Sequence, residues 1–100
     1  MDLKSVTKSI TSDNTWTVPI HPNRQLNTAT HGHLAISIMT TSSTVTIQRS
    51  FDDGASWDDV DEFSSSIETD LFDPTNDVIY RIGIASGDYG TDNVEVGLYQ

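Results

Sequence analysis

Six acids stand within thirteen residues in SFDDGASWDDVDE, Ser50 to Glu62: Asp52, Asp53, Asp58, Asp59, Asp61 and Glu62. Carboxylates at this density could bind calcium, which takes about six to eight oxygens converging on one point. The D-x-D-x-D-G spacing of a calcium loop is absent, so the expectation is solvated turn acids and no metal. His31 and His33, in HGH, would put two imidazoles on one side of an extended chain. Leading into a strand, they are expected to be turn or strand-start residues. His21, beside Pro22, carries no signal. Three arginines, Arg24, Arg49 and Arg81, could together clasp a carboxylate. Arg49 and Arg81 fall inside strand patterns, where arginine more often covers a sheet or pairs with an acid. No nucleophile can be singled out, because Ser and Thr are abundant and no G-x-S-x-G elbow occurs. Fifteen acids offer too many pairs to assign two to glycoside hydrolysis. The chain has no cysteine, which removes disulfides, thiol catalysis and Cys-ligated zinc. The expectation is a protein that is not an enzyme, with no catalytic residue and no cofactor.

The same octet, SFDDGASW, has a structural reading residue by residue. Asp53-Gly54 is a hairpin signal, since glycine takes positive φ at little cost. Asp52 can fold its carboxylate onto loop N–H groups, and the hydroxyls of Ser50 and Ser56 can do so more weakly. Trp57 begins the return strand and can close the turn with its ring. Ser50, Asp52, Gly54 and Trp57 are therefore expected to lock a hairpin. The pattern Ser, any, Asp, any, Gly, any, Ser/Thr, Trp resembles the Asp-box of sialidases and related β-propellers. In that family the box lies on blade hairpins away from the catalytic centre and recurs several times. One copy is present here, and 100 residues cannot supply the four or more blades of a propeller.

The elements that must position these residues are read from a period of two in the apolar pattern. Leu34, Ile36 and Ile38 share one face, as do Val45, Ile47, Arg49 and Phe51. Val78, Tyr80, Ile82 and Ile84 oppose Ile79, Arg81 and Gly83. Val94, Val96 and Leu98 oppose Glu95, Gly97 and Tyr99. TWTVPI places Trp16, Val18 and Ile20 on one side, with Pro19 marking an edge strand or a strand end. SSIETDLF could contribute Ile67 and Leu71 without a clear register. Residues 1–12 read as a strand or an N-terminal arm. HPNRQLN, TTSS, DDGAS, DPTND and SGDYGTDN carry turn residues, and no window reads as an amphipathic helix. The expectation is one all-β domain over residues 1–100, an antiparallel sandwich or jelly-roll-like barrel of about 7 strands. Trp16 and Trp57, on an apolar face and a hairpin closure, are expected in the core. Exposed aromatics can stack on sugars, and the candidate contact residues are loop-tip Tyr89 and, second to it, Trp16.

Charge narrows the partners. A net charge of −10 opposes DNA, RNA and anionic lipid. No apolar run approaches the ~20 residues of a membrane span. MDLKSVTKSITSDNTW has no apolar signal-peptide segment, which predicts a chain made in the cytoplasm of its host.

Three segments, SDNTWTVPI, STVTIQRSFDDGASWDDVDEF and VIYRIGIASGDYGTDNVEVGLYQ, form a layout that resembles small virion structural proteins of tailed bacteriophages. The features are a QRSFDgGxxW hairpin at Gln48–Trp57, a YRxG strand at Tyr80–Gly83, and a closing Leu-x-Gln at Leu98–Gln100. Asp53 stands where glycine is often seen, and the loop HPNRQLNTATHGH is long for the family. The resemblance covers most of the chain. It implies a β-sandwich on a virion, with head decoration or cement as the leading role. The partners would be the major capsid protein and further copies of the chain, a trimer being favoured by the local threefold sites of shells. Segments 1–12, 21–33 and 86–93 are the expected contacts. The rival expectation is a carbohydrate-binding or receptor-binding module of a phage tail or glycan-active protein.

Overall fold

A computed structural model describes residues 5–21, 33–73 and 78–99. Eight strands follow in chain order: β1 (Ser5–Ile10), β2 (Thr15–Trp16), β3 (His33–Met39), β4 (Val45–Ser50), β5 (Asp58–Phe63), β6 (Ile67–Phe72), β7 (Ile79–Ile84) and β8 (Val94–Tyr99). They form two four-stranded antiparallel sheets, β1-β8-β3-β6 and β2-β7-β4-β5. Apart from the β4–β5 hairpin, successive strands among the described residues lie in alternate sheets, so these residues form an eight-stranded jelly roll. The segment 5–10, read as a strand or an arm, is edge strand β1, in register with β8 from Ser5↔Tyr99 to Ile10↔Val94.

The core lies between the sheets and is built from the period-two faces. Leu34, Ile36 and Ile38 of β3 meet Val94, Val96 and Leu98 of β8 on one side and Val45, Ile47, Tyr80, Ile82 and Ile84 on the other, all buried. Val6, Ile10, Ile20 and Val78 close its margins. Burying one such aliphatic side chain contributes about 1.5–3 kcal/mol.

Three residues depart from the expected faces. Arg49, still within β4 and opposite buried Tyr80, keeps its face and is half-buried, but Phe51 is exposed because β4 ends at Ser50 and the chain turns away. Trp16 and Val18 point outward while Ile20 is buried. The phase changes because Thr17 turns inward: its N–H donates to the Ile82 carbonyl at 2.9 Å and its hydroxyl accepts from the Ile82 N–H at 3.2 Å. β2 then resumes only as a bridge between Ile20 and Tyr80. Pro19 thus falls past the end of β2, just before that bridge at the sheet margin, where a missing donor is harmless. β6 takes the register Ile67↔Ile38, Thr69↔Ile36 and Leu71↔Leu34, which turns Glu68, Asp70 and Phe72 outward.

Edge strand β5 is exposed along almost its whole length, with Asp58, Asp59, Asp61 and Glu62 in succession around Val60. The ladder slips between Ile47 and Gln48, so Val60 stands opposite the gap as a bulge.

Candidate functional site

The octet folds into a tight polar knot after β4. The Ser50 hydroxyl donates to Asp52 Oδ1 at 2.6 Å and accepts from the Gly54 N–H at 2.8 Å. Asp52 also accepts from the Ser56 N–H at 2.9 Å and from the Ser56 hydroxyl at 2.6 Å. These donors, Ser50 first and then Ser56, hold the Asp52 carboxyl at about 2, below its ordinary 3.8. Asp53 and Gly54 both take positive φ, 61° and 92°, the turn conformation that glycine adopts freely.

The knot delivers Trp57 to the outward face of the β2-β7-β4-β5 sheet. A Cβ added at Gly54 would lie 3.6 Å from the Trp57 ring and 3.9 Å from Ile79, so the hairpin folds back over β7 and buries Ile79. On that face the Arg81 guanidinium carbon sits 4.2 Å from the centre of the Trp57 ring and 4.3 Å from that of Trp16. Each contact of this kind is worth about 0.5–1 kcal/mol when exposed and about 2 when dry. Arg81 Nε donates to Gln48 Oε1 at 2.9 Å, and Gln48 Nε2 donates to Asp59 Oδ1 at 2.8 Å. A row of four strands is thereby tied together: Trp16 of β2, Arg81 of β7, Gln48 of β4 and Asp59 of β5. Burial of Arg81 lowers its pKa from the usual arginine value.

This placement corrects the expectation that both tryptophans are core. Trp16 and Trp57 are half-buried and lie on the solvent side of the sheet. The reason is Gly83. Paired with Trp16 and with Thr46, it has no side chain, and a Cβ there would overlap the Thr15 carbonyl oxygen and lie 2.7 Å from Trp16 Cα. The backbone of β2 thus presses close to β7, and its tryptophan is carried outward.

The leading contact candidate, Tyr89, makes contacts within the protein. Tyr89 packs partly buried against the core and its hydroxyl donates to the Asp92 carbonyl oxygen at 2.7 Å. It belongs to a loop cluster organised by two acids that sequence reading missed. Asp92 accepts from the Thr41 N–H at 2.6 Å and from the hydroxyls of Thr40, Ser42 and Ser43 at 2.8–2.9 Å. Asp13 accepts from the Gly87 N–H at 2.8 Å and from the Tyr89 N–H at 3.3 Å. Backbone donors, from Thr41 and Gly87 foremost, lower both carboxyl pKa values. The available signal was TTSS, a run of hydroxyls suited to surround one carboxylate.

The remaining chemistry-bearing residues stay apart. His33 starts β3 and packs its ring 4.7 Å from that of Phe72. His31 and Arg24 lie outside the described residues, as does most of the 21–33 loop. At the far end of the core the Tyr80 hydroxyl donates to Asp73 Oδ2 at 2.6 Å, with Arg49 Nη1 4.0 Å from the same oxygen. Burial, then the Asp73 bond, pushes Tyr80 up to about 12. Among the described residues no three His, Asp or Glu side chains gather to hold a metal ion. No family model, curated protein or solved structure matches the chain.

Proposed function

We propose that this chain is a binding-type structural protein of a tailed-phage virion, and that it decorates or cements the capsid by docking its Trp16–Arg81–Trp57 face on the assembled major capsid protein. The observation that carries the docking reading is the guanidinium held between two half-exposed indole rings on an open sheet face. Tryptophan and arginine dominate the energetic centres of protein interfaces. Here they are pre-ordered by Gln48 and Asp59, so little side-chain entropy remains to be lost on docking. Arg81 also gives a strongly acidic chain a local positive group for a carbonyl or carboxylate of the shell.

The virion assignment is supported by the sequence layout from Ser12 to Gln100 and by a jelly-roll architecture that viral shell proteins use widely. The second support is an analogy of fold and says nothing of position by itself. A protein that binds only the assembled shell stabilises it by mass action and needs no catalytic group. Docking as a small oligomer, with three copies at a local threefold, belongs to the same reading.

The test is cosedimentation of the purified protein with capsids that lack it. Binding to shells, lost on Trp16→Ala with Arg81→Ala, is expected. Binding to isolated tails and not to shells overturns the head position, and binding to neither overturns the virion role.

A further inference from the structure

The opposite face of the sandwich carries a second, differently built surface. The outward residues in the middle of the β1-β8-β3-β6 sheet are small, namely Ser5, Thr7 and Ser9 on β1, Gly97 on β8, and Ala35 and Ser37 on β3, with the larger Met39, Glu68, Asp70, Phe72 and Glu95 around them. Tyr99 leans back across this floor. A Cβ added at Gly97 would lie 2.6–2.8 Å from the outer atoms of the Tyr99 ring, so the ring occupies the space that glycine leaves. The tyrosine nevertheless stays 40% exposed. It lines two open troughs at once, one of about 380 Å³ between β1 and β3 and one of about 330 Å³ between β3 and β6. These volumes fall at the small end of the roughly 300–1,000 Å³ typical of ligand sites.

We propose that this face binds an uncharged pyranose unit of a glycan, with Tyr99 as the stacking wall and the carboxylates beside it as hydroxyl acceptors. A pyranose ring presents an apolar C–H face and a rim of hydroxyls, and the troughs supply the complement of both. The aromatic wall takes the C–H face, as amphipathic tyrosine does at wet interfaces. Ser37 reaches both troughs, Glu95 and Ser9 border the first, and Glu68 and Asp70 border the second. Glu68 and Asp70 hold no hydrogen bond or ion pair among the described residues, unlike Asp52 and Asp92, whose oxygens are filled by the protein itself. Sugar O–H groups would give them charge-assisted bonds. Three acids against Lys8 across the two troughs, on a chain of net charge −10, select against uronic and sialic acids.

The site is independent of the tryptophan face, which lies on the other sheet, so either assignment can fail alone. The experiment is an amide NMR titration of the labelled protein. The probes are neutral disaccharides built on glucose, galactose, mannose and N-acetylglucosamine, with polygalacturonate as the anionic probe. At least one neutral sugar is expected to shift Ser37, Gly97 and Tyr99 at ~10 mM, where millimolar affinity is visible. Tyr99→Ala is expected to weaken that sugar by about tenfold, or ~1.4 kcal/mol, and Tyr99→Phe to retain it. Three results overturn the proposal: no shift with any of the four, shifts confined to the Trp16–Trp57 face, or equal binding of polygalacturonate. The spectrum of each variant reports folding in the same measurement.

Discussion

Replacing Gly83 by alanine tests how closely β2 is pressed onto the sheet. The new methyl would overlap the Thr15 carbonyl oxygen and stand 2.7 Å from Trp16 Cα. Carbon atoms rest comfortably at about 3.5–4.0 Å, so the backbone of β2 must retreat by roughly 1 Å. Neither obstructing group is a flexible side-chain tip that could swing aside. Overpacking of this kind costs about 1–3 kcal/mol. The retreat also strains the two bonds between Thr17 and Ile82, each worth about 1 kcal/mol net. A total near 3 kcal/mol follows, and for a domain of this size it lowers the melting temperature by about 12–24 °C. Urea denaturation followed by far-UV circular dichroism measures the loss. Tryptophan emission in the folded state should also move toward the red, because Trp16 leaves Arg81. Gly87→Ala is the control: nothing lies within 4 Å of its Cβ, so only the positive φ of 88° is penalised, by about 1–2 kcal/mol. A Gly83→Ala protein as stable as wild type, with unchanged emission, would refute the close approach and the account of why Trp16 faces outward.

Other outcomes follow from the same geometry. Arg81→Met should cost about 1–2 kcal/mol from two lost ring contacts and raise the accessibility of both tryptophans to acrylamide quenching. Tyr80→Phe should cost about 1–3 kcal/mol, since Asp73 loses a buried donor. In the wild type, absorbance at 295 nm should show the Tyr80 phenol ionising near 12, a step that Tyr80→Phe removes. That raised pKa contributes stability present below the unfolded value near 10 and lost as pH climbs through about 12. Asp52 behaves in the opposite sense, its folded pKa being depressed to about 2. Its contribution is complete above 3.8 and fades as pH falls through about 2, so Asp52→Asn should flatten the acid limb of the stability curve over that window. A carboxyl carbon titration midpoint for Asp52 at the ordinary aspartate value would contradict the hydrogen-bonded knot.

The strand faces of β3, β7 and β8 could be read directly, because period two holds wherever a strand runs unbroken through the sandwich. The reading failed where the ladder breaks. Trp16, Val18 and Ile20 alternate correctly in sequence, yet Thr17 interposes a side-chain bond to Ile82 and shifts the phase between Val18 and Ile20. Phe51 continues a pattern past the point where β4 has already ended. The site was harder still. Trp16, Arg81 and Trp57 come together only once β2, β7 and the β4–β5 hairpin are laid side by side, and no local spacing encodes that order. The anchoring acids were hidden by distance, since Asp92 serves a loop about fifty residues earlier and Asp13 one more than seventy later. Their composition was visible in TTSS and SGDYGTDN, but which acid served which loop was not.

The acids of β5 have a consequence for how copies of this molecule can meet. A bare strand edge invites another chain to add on, and one sheet then grows into a fibre. Here Asp58, Asp59, Asp61 and Glu62 would face like charges on any approaching copy, and the Val60 bulge bends the template away from a straight ladder. At the other margin of the same sheet β2 offers only two residues before the chain reaches Pro19. Growth through that sheet is blocked at both ends. Copies crowded together during synthesis or assembly are therefore steered away from endless edge-to-edge growth through this sheet.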